Sequence, residues 1–144
     1  MIVGTEWLIE ATGCDPEALR DQNALEAILS GVIDDLGLKS VGSVWHKFEG
    51  EGGVTGLIAL TESHLACHTY PEYKTATFNL YCCRTRPEWD WEGNLKARLG
   101  ASAVGVTKVE RGTNQSQISD SKFENKPAES ELSNLKFDIA GGRQ

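Results

Sequence analysis

VTGLIALTESHLACHTYPEYKTATFNLYCC, residues 54–83, decides the architecture. It holds three runs of β-forming residues, 54–61, 64–70 and 75–83, interrupted at Glu62-Ser63 and at Pro71-Glu72. In the first run Leu57, Ala59 and Thr61 alternate with Ile58 and Leu60. A strand that is apolar on both faces belongs in the middle of its sheet.

Working outward, residues 41–48 (VGSVWHKF) form a further strand, joined to the first run by the glycine-rich turn Glu49-Gly50-Glu51-Gly52-Gly53. Before it, Asp15-Pro16-Glu17 opens a helix: a capping carboxylate, a proline in the first turn and an acid at the positive helix end. Leu19, Leu25, Ile28, Leu29, Val32, Ile33 and Leu36 follow at helical spacing, and Gly37 closes the pattern. Residues 3–11 (VGTEWLIEA) read as the first strand. Downstream, Pro87 introduces a short helix through Trp91, Leu95 and Leu99 to Gly100, and residues 103–110 form the last strand, ending at Arg111-Gly112.

The order β-α-β-β-β-β-α-β predicts an α+β fold: a two-layer sandwich of a mostly antiparallel sheet with helices on one face. The other face or an edge is left for a second copy to cover. From Thr113 onward Asn, Gln, Ser, Lys and Glu dominate, which predicts a disordered polar tail over 113–144 behind a single domain over 1–112.

A net charge of −7 argues against a nucleic-acid partner, whose phosphates demand Lys and Arg clusters. No stretch is long and apolar enough for a membrane span, and the N-terminus lacks a signal-peptide layout, so no membrane partner and a cytoplasmic location are expected. Cys14, Cys67, Cys82 and Cys83 are then free thiols in a reducing compartment.

Two of the three histidines, His64 and His68, lie within six residues of Ser63. Hydroxyl, imidazole, thiol and carboxylate groups embedded between apolar strands break the local pattern, as functional sites do. A serine hydrolase needs a glycine-flanked strand–turn–helix elbow, and Ser63 has neither the glycines nor the helix. A metal site from His64, Cys67, His68 and Cys83 lacks the paired-cysteine knuckle of structural zinc, so no metal is expected. His64 alone reads as a satisfied strand histidine.

The segment GVTGLIALTESHLACHTYPEY (53–73) resembles the self-processing signature of prokaryotic S-adenosylmethionine decarboxylase proenzymes. That signature is a glycine–valine–serine–glycine strand, then E-S-H, then I-H-T-W-P-E-Y, with a cysteine ending the next strand. The likeness runs from about Gly4 to Arg111-Gly112. Thr55 stands for the family's serine, Tyr70 for tryptophan, Asn79 for a common aspartate, and Lys74-Thr75 for a glycine-containing step.

The resemblance implies an S-adenosylmethionine decarboxylase-like fold and a chain that cuts itself between Glu62 and Ser63. Ser63 Oγ attacks the Glu62 carbonyl, Thr55 supplies a hydroxyl to processing, and His68 removes the α-proton so that the ester eliminates. The residue left at 63 becomes a pyruvoyl group, which replaces pyridoxal phosphate (PLP) as the cofactor and holds the substrate amine as a Schiff base. Cys83 matches the family's proton donor, and a thiol, protonated near neutrality, has a proton to give. Cys82, on the opposite strand face, is a small core residue. Phe48 matches a phenylalanine that stacks on adenine, and Glu72 the carboxylate that holds the ribose hydroxyls.

The implied function is conversion of S-adenosylmethionine to its decarboxylated form plus CO2 for spermidine synthesis. The implied assembly is a homodimer in which Ser63 and Cys83 of one copy face Phe48, Thr55, His68 and Glu72 of the other. Two alternatives are a pyruvoyl-dependent ornithine or arginine decarboxylase and a non-catalytic regulatory homologue. A nucleoside substrate needs Phe48 and Glu72 in the pocket of Ser63, and a free amino acid needs neither.

Overall fold

A computed structural model describes residues 1–112; the tail expected over 113–144 lies outside them. Six strands, β1 (Gly4–Thr12), β2 (Ser40–Lys47), β3 (Val54–Leu60), β4 (Ser63–Tyr70), β5 (Thr75–Cys82) and β6 (Ala103–Arg111), form one sheet. Their order is β2-β3-β4-β5-β1-β6, and every neighbouring pair is antiparallel. The expected α+β architecture is present.

Alternation along the strands sorts the two faces. Trp7, Ile9, Ile58, Leu60, Leu65, Cys67, Phe78 and Leu80 are buried in one cluster with helical Leu19, Leu25, Ile28, Leu29, Val32, Leu95 and Leu99. Among the described residues the opposite face carries no helix, and Leu8, Val44 and Leu57 on it are 42%, 69% and 48% exposed. β3 is therefore interior to the sheet but not apolar-packed on both sides. It stands second in the order, and among the described residues nothing covers the face that Leu57 supplies.

The single helix expected between Asp15 and Gly37 is two, α1 (Pro16–Arg20) and α2 (Gln22–Leu36). Asp21 leaves the helical region (φ −88°, ψ 98°) and its carboxylate accepts the Asn23 N–H, capping α2. Gly37 at φ 65° ends α2 in the left-handed conformation that glycine adopts without penalty. α3 (Trp91–Leu99) begins later than Pro87, because the Asp90 carboxylate accepts the Gly93 N–H there. A 3-10 turn, Pro71–Tyr73, joins β4 to β5.

Candidate active site

The β3–β4 turn is held at the Glu62 carbonyl and carboxylate and by the pairing of Ser63. Ser63 pairs with Leu60 on β3 and Cys82 on β5, at φ 141°. Only glycine visits that region freely, so a serine held there stores roughly 1–3 kcal/mol of strain. The Glu62 carbonyl accepts the Cys83 backbone N–H at 3.1 Å. The Glu62 carboxylate, 5% exposed, meets Arg86 Nη2 at 2.7 Å and Nε at 3.4 Å, while Arg86 Nη1 donates to the Leu36 carbonyl at 3.0 Å. Arg86 thus ties the turn to the C-terminal end of α2, and deleting it would strand a buried carboxylate.

Beyond Ser63 a chain of polar contacts crosses the helix-free face. Ser63 Oγ lies 3.4 Å from His64 Nδ1, and His64 Nε2 lies 2.8 Å from Asn79 Oδ1. Asn79 Nδ2 donates to Glu6 Oε1 at 2.7 Å, and Glu6 pairs with Arg111. The hydrogen bond from Asn79 is the largest cause holding the Glu6 carboxyl below the usual carboxylate range, and Arg111 acts in the same direction. His64 is half-buried and bonded to reactive neighbours rather than sealed in the core. Cys82 is fully buried, its thiol pushed up to about 11 chiefly by burial and then by the Glu62 charge; Cys83 is exposed.

The other named residues gather at the opposite end of β4. Thr55 and His68 are cross-strand partners, Oγ1 to Nδ1 3.3 Å. Phe48 packs edge-on against His46, with ring centroids 4.7 Å apart. Phe48 and Glu72 line one cavity of about 200 Å³ with Glu51, Gly53, Thr69 and Tyr70. Thr69 fixes its floor, accepting the Val54 N–H at 2.8 Å and donating to the Leu19 carbonyl at 2.7 Å. Ser63 is not part of this cavity. His68 stands five residues further along β4, roughly 17 Å away at the rise of an extended strand.

One chain therefore places these residues in two separate clusters: Glu62, Ser63 and Cys83 at one end, and Phe48, Thr55, His68 and Glu72 at the other. Cys67 points to the core, away from His64 and His68, and its thiol is pushed up to about 12 by burial. Among the described residues no three His, Cys, Asp or Glu side chains are placed to hold a metal, and no helix is long and apolar enough to cross a membrane.

The sequence profile of the S-adenosylmethionine decarboxylase family matches residues 5–112. The chain belongs to that family. It is 33% identical to the S-adenosylmethionine decarboxylase proenzyme of Acetivibrio thermocellus over 111 residues, 76% of this chain and 89% of the relative. The proenzymes of Moorella thermoacetica and Clostridium tetani are 34% and 35% identical, again over 76% of this chain, and 88% and 87% of those proteins. The crystal structure of the adenosylmethionine decarboxylase from Aquifex aeolicus has the same fold, with a TM-score of 0.65 at 23% identity, covering 79% of this chain and 94% of that one.

Within this decarboxylase family member, sequence reasoning missed Arg86, Glu6, Arg111 and the Cys83 backbone N–H. Their partners lie 24, 73, 105 and 21 residues away, and no periodicity relates them. Asn79 showed only as a departure from the family's aspartate.

Proposed function

We propose that the chain severs its own backbone between Glu62 and Ser63, turns Ser63 into a pyruvoyl group, and with it decarboxylates S-adenosylmethionine. The observation that carries this reading is the Glu62-Ser63 turn itself. A strained serine stands next to a carbonyl already engaged by the Cys83 N–H, in a chain of this family. Strain at φ 141° lifts the amide toward the ester that replaces it, and the Cys83 N–H points at the oxygen where charge gathers.

The residues around the turn fit a pyruvoyl group at 63: its precursor hydroxyl is present, and an exposed thiol follows the residue that pairs with it across β4 and β5. That group supplies a ketone that binds the substrate amine and takes up the electrons left when CO2 departs. Cys83 then gives a proton to the substrate carbon. Glu72 receives the ribose hydroxyls, and Phe48 stacks on the adenine. These two line one cavity that Ser63 of the same chain does not enter, so the nucleoside reading needs Ser63 of a second copy beside it.

Thr55 and His68 cannot serve Ser63 of their own chain across roughly 17 Å of strand. A homodimer resolves this. Val44, Leu57, Ala66, Asn79 and Leu8 form one cross-strand row on the helix-free face. The row of His64 and Ala59 flanks it on one side, and the row of His68 and Thr55 on the other. A two-fold axis along the central row stacks two sheets about 10 Å apart and lays His64 of each copy over His68 of its partner, with Ser63 one residue further on. In that arrangement His68 removes the α-proton of the partner's residue 63, with Thr55 beside it.

The test is an intact-mass measurement under denaturing conditions. Wild-type protein should give two species, residues 1–62 and residues 63–144 with an N-terminal pyruvoyl group. Ser63→Ala should give one full-length chain with no decarboxylase activity. A wild-type chain that stays whole would overturn the reading.

A further inference from the structure

We propose that His64 is the base that starts self-cleavage, and that Asn79 and Glu6 make it one by fixing its tautomer. This rests on the self-processing reading above and assigns a residue to its first step.

A carboxylate only accepts hydrogen bonds, so the amide nitrogen of Asn79 must be the atom facing Glu6, as the 2.7 Å contact has it. That leaves Asn79 Oδ1 turned to His64. An amide oxygen also only accepts, so the 2.8 Å contact puts the proton of a neutral His64 on Nε2. The lone pair is then on Nδ1, the atom 3.4 Å from Ser63 Oγ. This is the long end of hydrogen-bond range, where base–hydroxyl pairs often sit before reaction. Three strands and two acceptor-only groups leave the imidazole one useful orientation.

The step balances within these residues. Nδ1 takes the Ser63 Oγ proton as Oγ bonds to the Glu62 carbonyl carbon, and the resulting oxyanion sits on the Cys83 N–H. Collapse breaks the bond from that carbon to the Ser63 nitrogen. The proton on Nδ1 passes to this nitrogen, leaving an ester and a free amine with His64 restored. Glu6 faces the imidazolium across Asn79 and offsets its charge meanwhile. His68, on the far end of β4, belongs to the later elimination.

The titratable groups around His64 are few. β5 presents Tyr81, edge-on at 5.9 Å, and β1 presents Glu6, which Arg111 of β6 pairs from behind. Its β3 partner is Ala59, which carries no charge.

The experiment follows newly translated full-length chain moved into buffers from pH 5 to 9. Hydroxylamine cuts any ester at Glu62–Ser63, so counting ester plus cut chain by mass isolates the first step. Wild type should show a rate that falls toward acid, because a protonated imidazole cannot act as a base. His64→Gln should slow ester formation about a hundredfold or more and lose that acid limb. Asn79→Asp should still form ester but move the acid limb to higher pH, because a carboxylate beside Nε2 favours the imidazolium. His68→Ala should accumulate ester without going on to cut chain.

Ester formation by His64→Gln at the wild-type rate, or an acid limb unmoved in Asn79→Asp, would overturn the assignment. Should His64→Gln fail to fold by circular dichroism, the Asn79→Asp profile decides alone. Failure of wild type to form either ester or cut chain is a different result, and rejects the self-processing reading instead.

Discussion

The peptide joining Cys82 to Cys83 turns one thiol into the core and the other to solvent, because successive side chains of a strand alternate faces. Cys82 shares its cluster with Leu60, Leu80 and Trp91, and burial raises its pKa to about 11, so at pH 8 only about one molecule in a thousand is thiolate. Cys14 and Cys67 are likewise buried and shifted up. Cys83 is the accessible thiol among the described residues. Iodoacetamide at pH 8 should therefore label Cys83 at least tenfold faster than the other three, an order-of-magnitude expectation read by peptide mass mapping. Comparable labelling of Cys82 would mean that its neighbours do not hold it in the core, and the choice of Cys83 as proton donor would lose its structural basis. The split between the two cysteines was legible in the sequence, since strand alternation alone separates them. The contacts of Glu62 with Arg86 and of His64 with Asn79 were not. They depend on which strand lies beside which, and register is a tertiary property.

At the scale of elements, the cavity of Phe48 and Glu72 exists because the turn into β3 presses against β4. A Cβ on Gly53 would stand 2.5 Å from the Thr69 carbonyl oxygen and 3.4 Å from Pro71 Cδ. Thr69 cannot give way cheaply, since its hydroxyl is bonded both to Val54 and to Leu19 of α1. Gly53→Ala should thus cost about 1–3 kcal/mol, lowering Tm by roughly 5–15 °C, and should weaken substrate binding more than self-cleavage. Gly105→Ala, whose Cβ meets nothing within 4 Å, is the control and should shift stability by less than about 0.5 kcal/mol. An unchanged Tm for Gly53→Ala would show that the turn is free to move away. The strands around this cavity could be read from β-forming runs and their glycine and proline breaks. The helical layer was less legible. Leu19 and Leu25 stand six apart, off the three-or-four-residue step that Leu25, Ile28, Leu29, Val32 and Leu36 keep, and the side-chain cap at Asp21 divides α1 from α2 between them.

At the scale of the whole molecule, the strand that creates the reactive turn also carries His68 away from it. A six-stranded sheet cannot fold these two clusters together, so the self-processing proposed above calls for another copy of the same face. The sequence motif lists these residues in one short run and so conceals their separation, which only the extended geometry of β4 reveals. The proposed shared site makes a prediction about mixed dimers. Ser63→Ala chains can never be cut, and His68→Ala chains should halt at the ester when alone. In a hybrid dimer, Ser63 of the His68→Ala chain faces the intact His68 of the Ser63→Ala chain, and elimination can proceed there. The other composite site lacks both groups. With equal co-expression and random pairing, about half of the His68→Ala chains sit in hybrids, so about half should be converted to the two fragments. Intact mass distinguishes the products, because only the His68→Ala chain can yield a fragment beginning at residue 63. If co-expression yields no such fragment although affinity tags show that hybrids form, His68 must act on its own chain, and the two-fold arrangement of the two clusters is wrong.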